Sequence, residues 1–552
     1  MQHDSGMKQT APGPGTSARR SSPASTALRS PPGPLAHSGR TQRTPVRGIA
    51  LIAIGAFAVE MAVSGRYGYH RDELYFLAAG QHLAFGYVDQ PPLTPVLARI
   101  FAAASGNTLI GLRVLPALAL AALVILTAAM SRLLGAGRTG QLLAALATAT
   151  CAQYLGVMHL LTTTTPDFIA WAVTLLLVLR LLASQDPRWW LATGCSIGVG
   201  LEAKWNIGFL AAGIAVGFLA TNARSLLRNR YLLIACGTAI VIAAPDVAWQ
   251  ALHGWPNLQV FHSLQGSAWH NRATYWPAQV LYTGLALTPL WIIGLAWSLR
   301  SKAGRRFRPA GIATTFAITI YFVLGGKPYY PGAAFTFFFA AGAVPLEHWL
   351  ASLAGRRGRA GRALQAGPVR PRVRRGLITP AALAGAAMLA SAGIAIPVAL
   401  PVLPARTLHA VPLQKINYDL AETIAWPGLV ALVAREYGSL PGPQRRVTTI
   451  IAGNYGEAGA IERYRGAFGM PEVYSGANNF WLWGPPPAAA TGAVAVNVDL
   501  ALLRREFARV RQVATFSNGS GVSDDEQGAQ IFIATGLKSS WATAWPAFRD
   551  YS

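Results

Sequence analysis

The sequence predicts an all-α polytopic membrane domain followed by a C-terminal extracytoplasmic α/β domain. Three features predict it: apolar runs long enough to span a bilayer, arginines confined to alternate loops, and a charge-balanced C-terminal stretch with short strand-like segments. Of the 552 residues 52% are hydrophobic and only 12% charged, against about 25% charged in soluble domains. The net charge is +25, but the basic residues fall between apolar runs instead of gathering on a folded, aromatic-studded surface. That pattern reports topology and excludes a nucleic-acid partner.

A span needs about 20 mostly apolar residues to cross about 30 Å of hydrocarbon. Candidate spans lie near 47–64, 109–131, 139–160, 167–185, 189–203, 205–221, 231–249, 276–299, 310–325, 330–350 and 377–400, giving about eleven transmembrane helices. Arg132 and Arg138, Arg188, the group Arg224, Arg228 and Arg230, and the run from Arg300 to Arg308 occupy every second loop, and residues 351–376 hold eight arginines and no acid. The positive-inside rule makes these loops cytoplasmic. The first outer loop is then 65–108, and residues 401–552 lie outside as a soluble domain with strand-like pieces at Arg446–Ala452 and Gln530–Ala534. The predicted location is the inner or plasma membrane, with the N-terminus cytoplasmic and the C-terminal domain extracytoplasmic.

Residues 1–47 are rich in Pro, Ser, Gly and Arg, too poor in apolar side chains to repay chain entropy, and read as a disordered basic cytoplasmic tail that is retained. Cys151, Cys195 and Cys236 sit inside apolar runs without metal-ligand spacing and read as small apolar residues.

Residues 48–400 contain nine acidic residues, of which Asp72, Glu73, Asp89, Asp167, Glu202 and Asp246 fall at or near outer span ends. Charges near a bilayer are costly, so their clustering on one face points to a site there. Asp72 and Glu73 offer a carboxylate pair in which one group acts as base and the other holds it, the chemistry of transfer to a hydroxyl or amine. The alternative is a structural pairing of Asp72 with Arg71 or Arg66. Lysine is rare, six in the chain, and Lys204 and Lys327 lie at outer span ends. Together, facing the acidic loop, they suit a lipid-linked phosphate, whereas either alone also suits snorkelling to the interface. His253, in an aromatic outer loop that continues to His262 and His270, is a candidate to join Asp89 in a divalent-metal site.

The pattern Asp72-Glu73-Leu74-Tyr75, the Pro91-Pro92-Leu93 triplet, the short second outer loop ending in Asp167, Gly200-Leu201-Glu202-Ala203-Lys204 and Lys327-Pro328-Tyr329-Tyr330-Pro331 resemble, in order over residues 48–350, glycosyltransferase family 39. This family of the GT-C superfamily includes dolichyl-phosphate-mannose protein mannosyltransferases and bacterial aminoarabinose transferases of lipid A. The resemblance implies a GT-C-like fold and an inverting transfer of a sugar from a polyprenyl-phosphate donor to a glycan, lipid or protein acceptor at the outer face. It also implies that Asp72 is the catalytic acidic residue of the first loop with Glu73 its partner, that Asp167 lies near the acceptor, and that Lys204 and Lys327 meet donor phosphate. Asp89 takes the place of a metal-binding glutamate that a phosphate-binding lysine follows in the aminoarabinose transferases; here Gln90 follows.

A lipid donor also fits the residues directly, because the cytoplasmic loops are short and lack a glycine-rich phosphate cradle for a nucleotide sugar. The competing functions are a membrane transporter or lipid flippase, against which no inverted pair of broken helices is apparent, and a scaffold, which leaves the Asp72–Glu73 pair unexplained.

Overall fold

The computed structural model describes residues 44–363, 379–410 and 416–551. Most of the expected disordered tail and the 364–378 part of the arginine-rich loop lie outside the described residues.

Sixteen α-helices precede residue 400: α1 Val46–Val63, α2 Arg71–Gln81, α3 Leu93–Ala104, α4 Leu109–Leu133, α5 Arg138–Thr150, α6 Ala152–Val157, α7 Thr164–Ser184, α8 Trp189–Ala203, α9 Ile207–Leu219, α10 Arg230–Leu252, α11 Pro256–Leu264, α12 Ala268–Thr283, α13 Thr288–Arg300, α14 Arg308–Leu324, α15 Phe335–Ala363 and α16 Pro380–Ala399. Seven stretches are long and apolar enough to cross a membrane, and the bent pair Pro256–Thr283 and Thr288–Arg300 raises the number to eight. This makes the chain a multi-pass membrane protein of mostly helical fold. The eleven expected spans differ from this number for a local reason. The run at 139–160 breaks at Cys151, whose ψ is 121°, and the runs on either side of Lys204 form helices of 15 and 13 residues because Lys204 adopts extended backbone, φ −166° and ψ 135°.

Small residues set the helix spacing, as expected where lipid removes most of the hydrophobic drive between helices. Gly213 and Gly217 of α9 lie against the carbonyls of Ala313 and Pro309 of α14, and Gly194 of α8 lies against Ala235 of α10; a Cβ at any of the three would collide with facing backbone. Leu51 and Ile54 of α1 and Leu233, Ile240 and Val241 of α10 are exposed, which suits contact with lipid chains.

After the short α17 Ala405–Ala410 come α18 Trp426–Gly438 and α19 Gly442–Arg446, then β1 Thr448–Ala452, α20 Tyr455–Phe468, β2 Val473–Ser475, α21 Asn478–Leu482, β3 Gly492–Val496, α22 Leu500–Glu506, β4 Phe507–Thr515, β5 Gln530–Leu537 and α23 Trp541–Ala544. The sheet has the order β2-β1-β3-β5-β4. β1 is parallel to β2 and β3, and β5 is antiparallel to β3 and β4. Both expected strand segments are strands, with Gly442–Arg446 helical ahead of the first.

Helix α2 of the first loop joins this C-terminal domain. Leu74, Tyr75, Phe76 and Ala78 share one buried apolar cluster with Trp426, Leu429, Val433, Ile450 and Ile461. A Cβ at Gly459 of α20 would stand 2.9 Å from the backbone of Leu74, and one at Gly456 would stand 2.8 Å from Arg71 Cβ. The first loop is therefore clamped between the helical bundle and the sheet domain.

Candidate active site

The site grows from the N-terminus of α2. His70 caps the helix: its Nδ1 accepts the Asp72 N–H at 3.2 Å while its own backbone N–H donates to Glu73 Oε2 at 2.9 Å, a reciprocal capping box. This turn aims the two adjacent carboxylates in different directions.

Glu73 points into the scaffold and is completely buried. Arg113 of α4 grips it through Nε–Oε1 at 3.1 Å and Nη2–Oε2 at 2.9 Å, and the Leu161 N–H donates to Oε1 at 3.1 Å. Arg113 also donates to the carbonyls of Ser64 and Gly68 at 2.9 and 2.7 Å. Each Glu73 oxygen thus accepts two hydrogen bonds, and the side chain ties α2 to α4 and the 161 loop. The two acids expected to act as partners therefore stand in different surroundings, because the buried guanidinium draws Glu73 into the scaffold.

Asp72 stays open. Its side chain is 32% exposed, and Oδ1 accepts a hydrogen bond from Tyr455 Oη at 3.1 Å. Neither candidate arginine is in ion-pair contact with it: Arg71, although its guanidinium feels the Asp72 charge, reaches Asp525 at 2.5 Å and Glu422 at 3.4 Å, and Arg66 donates to the Val402 carbonyl at 2.7 Å. Among the described residues Asp72 has no ion pair with lysine or arginine.

Three bundle positions share the electrostatic surroundings of Asp72. Lys204, in the break between α8 and α9, is influenced by Asp167, Lys327 and Asp72, and its Nζ stands 4.4 Å over the Tyr330 ring. Asp167, in the first turn of α7, is 1% exposed, and its Oδ1 has no hydrogen-bond partner among the described residues. Lys327 is exposed in the turn after α14. Lys204 is thus the common electrostatic neighbour of Asp72, Asp167 and Lys327, which come from distant parts of the chain.

Asp89 and His253 are not joined to each other by a hydrogen bond or ion pair among the described residues. Asp89 Oδ1 accepts from Tyr75 Oη at 2.8 Å, and Oδ2 accepts from Asn478 Nδ2 at 3.4 Å. Burial pushes the Asp89 carboxyl up to about 7, against the lowering effect of the Tyr75 hydrogen bond and with a smaller push from Asp72. His253 stacks on Trp249 at 4.0 Å, with Nδ1 2.8 Å from the Trp249 carbonyl. Among the described residues no three His, Cys, Asp or Glu side chains are grouped to hold a metal. The expected pair does not fit a divalent ion, because His253 turns to its own helix and Asp89 to a tyrosine and an amide.

The contributors that sequence reasoning missed come mostly from the C-terminal domain. Tyr455 reaches Asp72, Asn478 reaches Asp89, and Asn479 Oδ1 accepts the Val88 N–H at 2.6 Å. Tyr455 is 383 positions from Asp72, and no local spacing signals such a contact. Arg113, read as part of an apolar span, was signalled only by being a lone charge in α4 away from its last turn.

Residues 89–249 match the family model of dolichyl-phosphate-mannose-protein mannosyltransferases. No curated protein sequence matches the chain significantly. Among solved structures, ArnT from Cupriavidus metallidurans bound to undecaprenyl phosphate is similar with a TM-score of 0.54 at 16% identity, covering 89% of this chain and 98% of that one. The apo state of the same ArnT gives 0.54 at 15% identity, with 88% and 98% covered. The oligosaccharyltransferase AglB from Archaeoglobus fulgidus, in complex with an inhibitory peptide and a dolichol-phosphate, gives 0.39 at 14% identity over 74% of this chain and 62% of that one. The chain thus has the fold of the GT-C glycosyltransferases, and over residues 89–249 it carries the sequence pattern of the dolichyl-phosphate-mannose-protein mannosyltransferases.

Proposed function

We propose that the protein is a membrane glycosyltransferase that moves a sugar from a polyprenyl-phosphate donor to a nucleophilic acceptor at the extracytoplasmic face, with inversion. The observation that carries this reading is the contrast between the two neighbouring acids: Glu73 is saturated by Arg113 and backbone N–H groups, while Asp72 is held by a neutral hydroxyl and shares its electrostatic surroundings with Lys204, which in turn feels Lys327. A carboxylate with no cation in direct contact is open to an incoming nucleophile whose proton it can accept, the task of a general base.

In the proposed step Asp72 accepts the proton of an acceptor hydroxyl or amine. The nucleophile forms a bond to the anomeric carbon, and the bond from that carbon to the donor phosphate oxygen breaks with its electron pair leaving on polyprenyl phosphate. Lys204 and Lys327 offset the charge that grows on that phosphate. A single displacement with nucleophile and leaving group on opposite faces inverts the anomeric centre. The buried, unpaired Asp167 oxygen supplies a hydrogen-bond acceptor for the incoming nucleophile. The arginine bias of alternate loops supports a cytoplasmic N-terminus and an outward site. The ArnT structure with undecaprenyl phosphate supports a lipid-phosphate donor through its shared fold. Glycan, lipid and protein acceptors all provide the required nucleophile.

The test is release of undecaprenyl phosphate and sugar transfer by the full-length protein in nanodiscs, supplied with a panel of synthetic undecaprenyl-phosphate hexoses and pentoses and with envelope extract as acceptor. Release without ATP or an ion gradient is expected. Movement of intact donor across vesicle membranes, with no release from any member of the panel, would replace this reading with a flippase.

A further inference from the structure

Tyr455 is the first residue of α20, and the turn that carries it is tightly built. Asn454 caps the helix, its Oδ1 accepting the Glu457 N–H at 2.9 Å, while Glu457 Oε2 accepts the N–H groups of Gly453 and Asn454 at 3.0 and 3.2 Å. The Tyr455 ring packs on Tyr75 with centroids 5.1 Å apart, and the Arg71 guanidinium lies 5.7 Å above it. Both contacts come from α2, the helix that bears Asp72. Gly456 and Gly459 let α20 approach α2 at near backbone contact. Burial, and next the Asp72 charge, hold the Tyr455 hydroxyl well above the usual tyrosine range, so it remains a protonated donor.

We propose that Tyr455 is a positioning residue for the transfer reaction: its hydrogen bond holds the Asp72 carboxylate in one rotamer, which makes the C-terminal domain a working part of the active site. The inference rests on Asp72 being the general base. A hydroxyl suits this task better than an ammonium or guanidinium. A cation at the same place would fix the carboxylate equally well but would hold its proton affinity down. The neighbouring guanidinium, Arg71, feels the Asp72 charge but makes its contacts with Glu422 and Asp525, so the hydrogen bond to Asp72 comes from the hydroxyl. The other charged or titratable groups around Asp72 are His70, whose Nδ1 is 4.0 Å from Oδ2, Asp89 from the α2–α3 loop, and Lys204, Tyr329 and Tyr330 from the bundle. None of these donates a hydrogen bond to the Asp72 side chain among the described residues.

The test compares wild type, Tyr455→Phe and Asp72→Asn as full-length proteins in nanodiscs, using whichever undecaprenyl-phosphate sugar of the panel supports release. Phenylalanine keeps the ring that packs on Tyr75 and Arg71, so the thermal midpoint should hold. The expected result is a fall in kcat of about tenfold to a hundredfold, with KM for the donor within about twofold. The acid limb of the pH profile should move to higher pH because the carboxylate has lost a donor. Unchanged kcat and pH profile in Tyr455→Phe, beside a dead Asp72→Asn, would overturn the inference and leave the base assignment standing. An active Asp72→Asn would overturn the base assignment itself. A readout independent of turnover is the 19F resonance of 3-fluorotyrosine placed at position 455. It should shift on Asp72→Asn, and an unmoved resonance would show that the contact is absent.

Discussion

Replacing Glu73 by Gln should damage folding before it damages chemistry. The carboxylate accepts two hydrogen bonds from Arg113 and one each from the His70 and Leu161 N–H groups, all between 2.9 and 3.1 Å, in a site with no solvent exposure. An amide retains one acceptor oxygen and turns an NH2 toward donors, so two of the four donors are left facing another donor and the guanidinium loses its counter-charge. Breaking one partner of such a buried pair costs about 3–5 kcal/mol. Arg113 cannot easily compensate, because its remaining bonds run to the fixed carbonyls of Ser64 and Gly68 and its Nη1 is 3.2 Å from His159 Nε2. The assay is thermal unfolding followed by tryptophan fluorescence in detergent, with Glu73→Gln, Arg113→Met and the double variant compared. The double variant should be less destabilised than the sum of the two singles, since the second change removes a charge already unpaired. A Glu73→Gln protein with an unchanged midpoint and strictly additive effects would refute a scaffold role.

Gly217→Val, at the α9–α14 contact with the Pro309 carbonyl, should cost about 1–3 kcal/mol through overpacking, while Gly208→Val, which faces open space, should leave the thermal midpoint unchanged. Lys204→Ala should weaken undecaprenyl phosphate binding about tenfold or more and Lys327→Ala less, since Lys204 is half-buried and Lys327 exposed to screening solvent; equilibrium binding of labelled carrier in nanodiscs separates the two. Asp89 gives a pH signature: burial raises its carboxyl from 3.8 to about 7, so the folded state binds that proton more tightly than the unfolded chain. The resulting stability is fully present below about pH 4 and is lost as pH rises through about 7. Asp89→Asn should flatten the midpoint-versus-pH curve between these limits, and an unchanged slope would count against the burial of the group.

The arrangement of the bundle was legible in the sequence where physics is local. Long apolar runs marked the helical bundle but not the number of its spans, and the break at Lys204 fell where Glu202, Lys204 and Asn206 interrupt an apolar stretch. The four site charges Asp72, Asp167, Lys204 and Lys327 stood out because charge is costly beside a bilayer. The sheet was less legible: β2 is three residues long, β3 reads Gly-Ala-Val-Ala-Val, which fits helix and strand alike, and only part of the exposed edge strand β4 alternates. The family resemblance named Asp72 as the reacting acid and Glu73 as its partner, but no local pattern shows what separates the two physically. That division depends on Arg113, 40 residues away from Glu73, and on Tyr455, which only the folded chain brings to α2.

The central claim is that Asp72 is the base of a lipid-phosphate-dependent sugar transfer, and its most direct test is undecaprenyl phosphate release by Asp72→Asn in nanodiscs, alongside its thermal midpoint and its binding of undecaprenyl phosphate. The amide keeps the shape and the hydrogen bond from Tyr455 but cannot take the acceptor's proton. The account predicts a loss of about 10²–10⁴-fold in rate in a protein that remains folded and still binds the carrier. Release near the wild-type rate from a folded Asp72→Asn protein would contradict it.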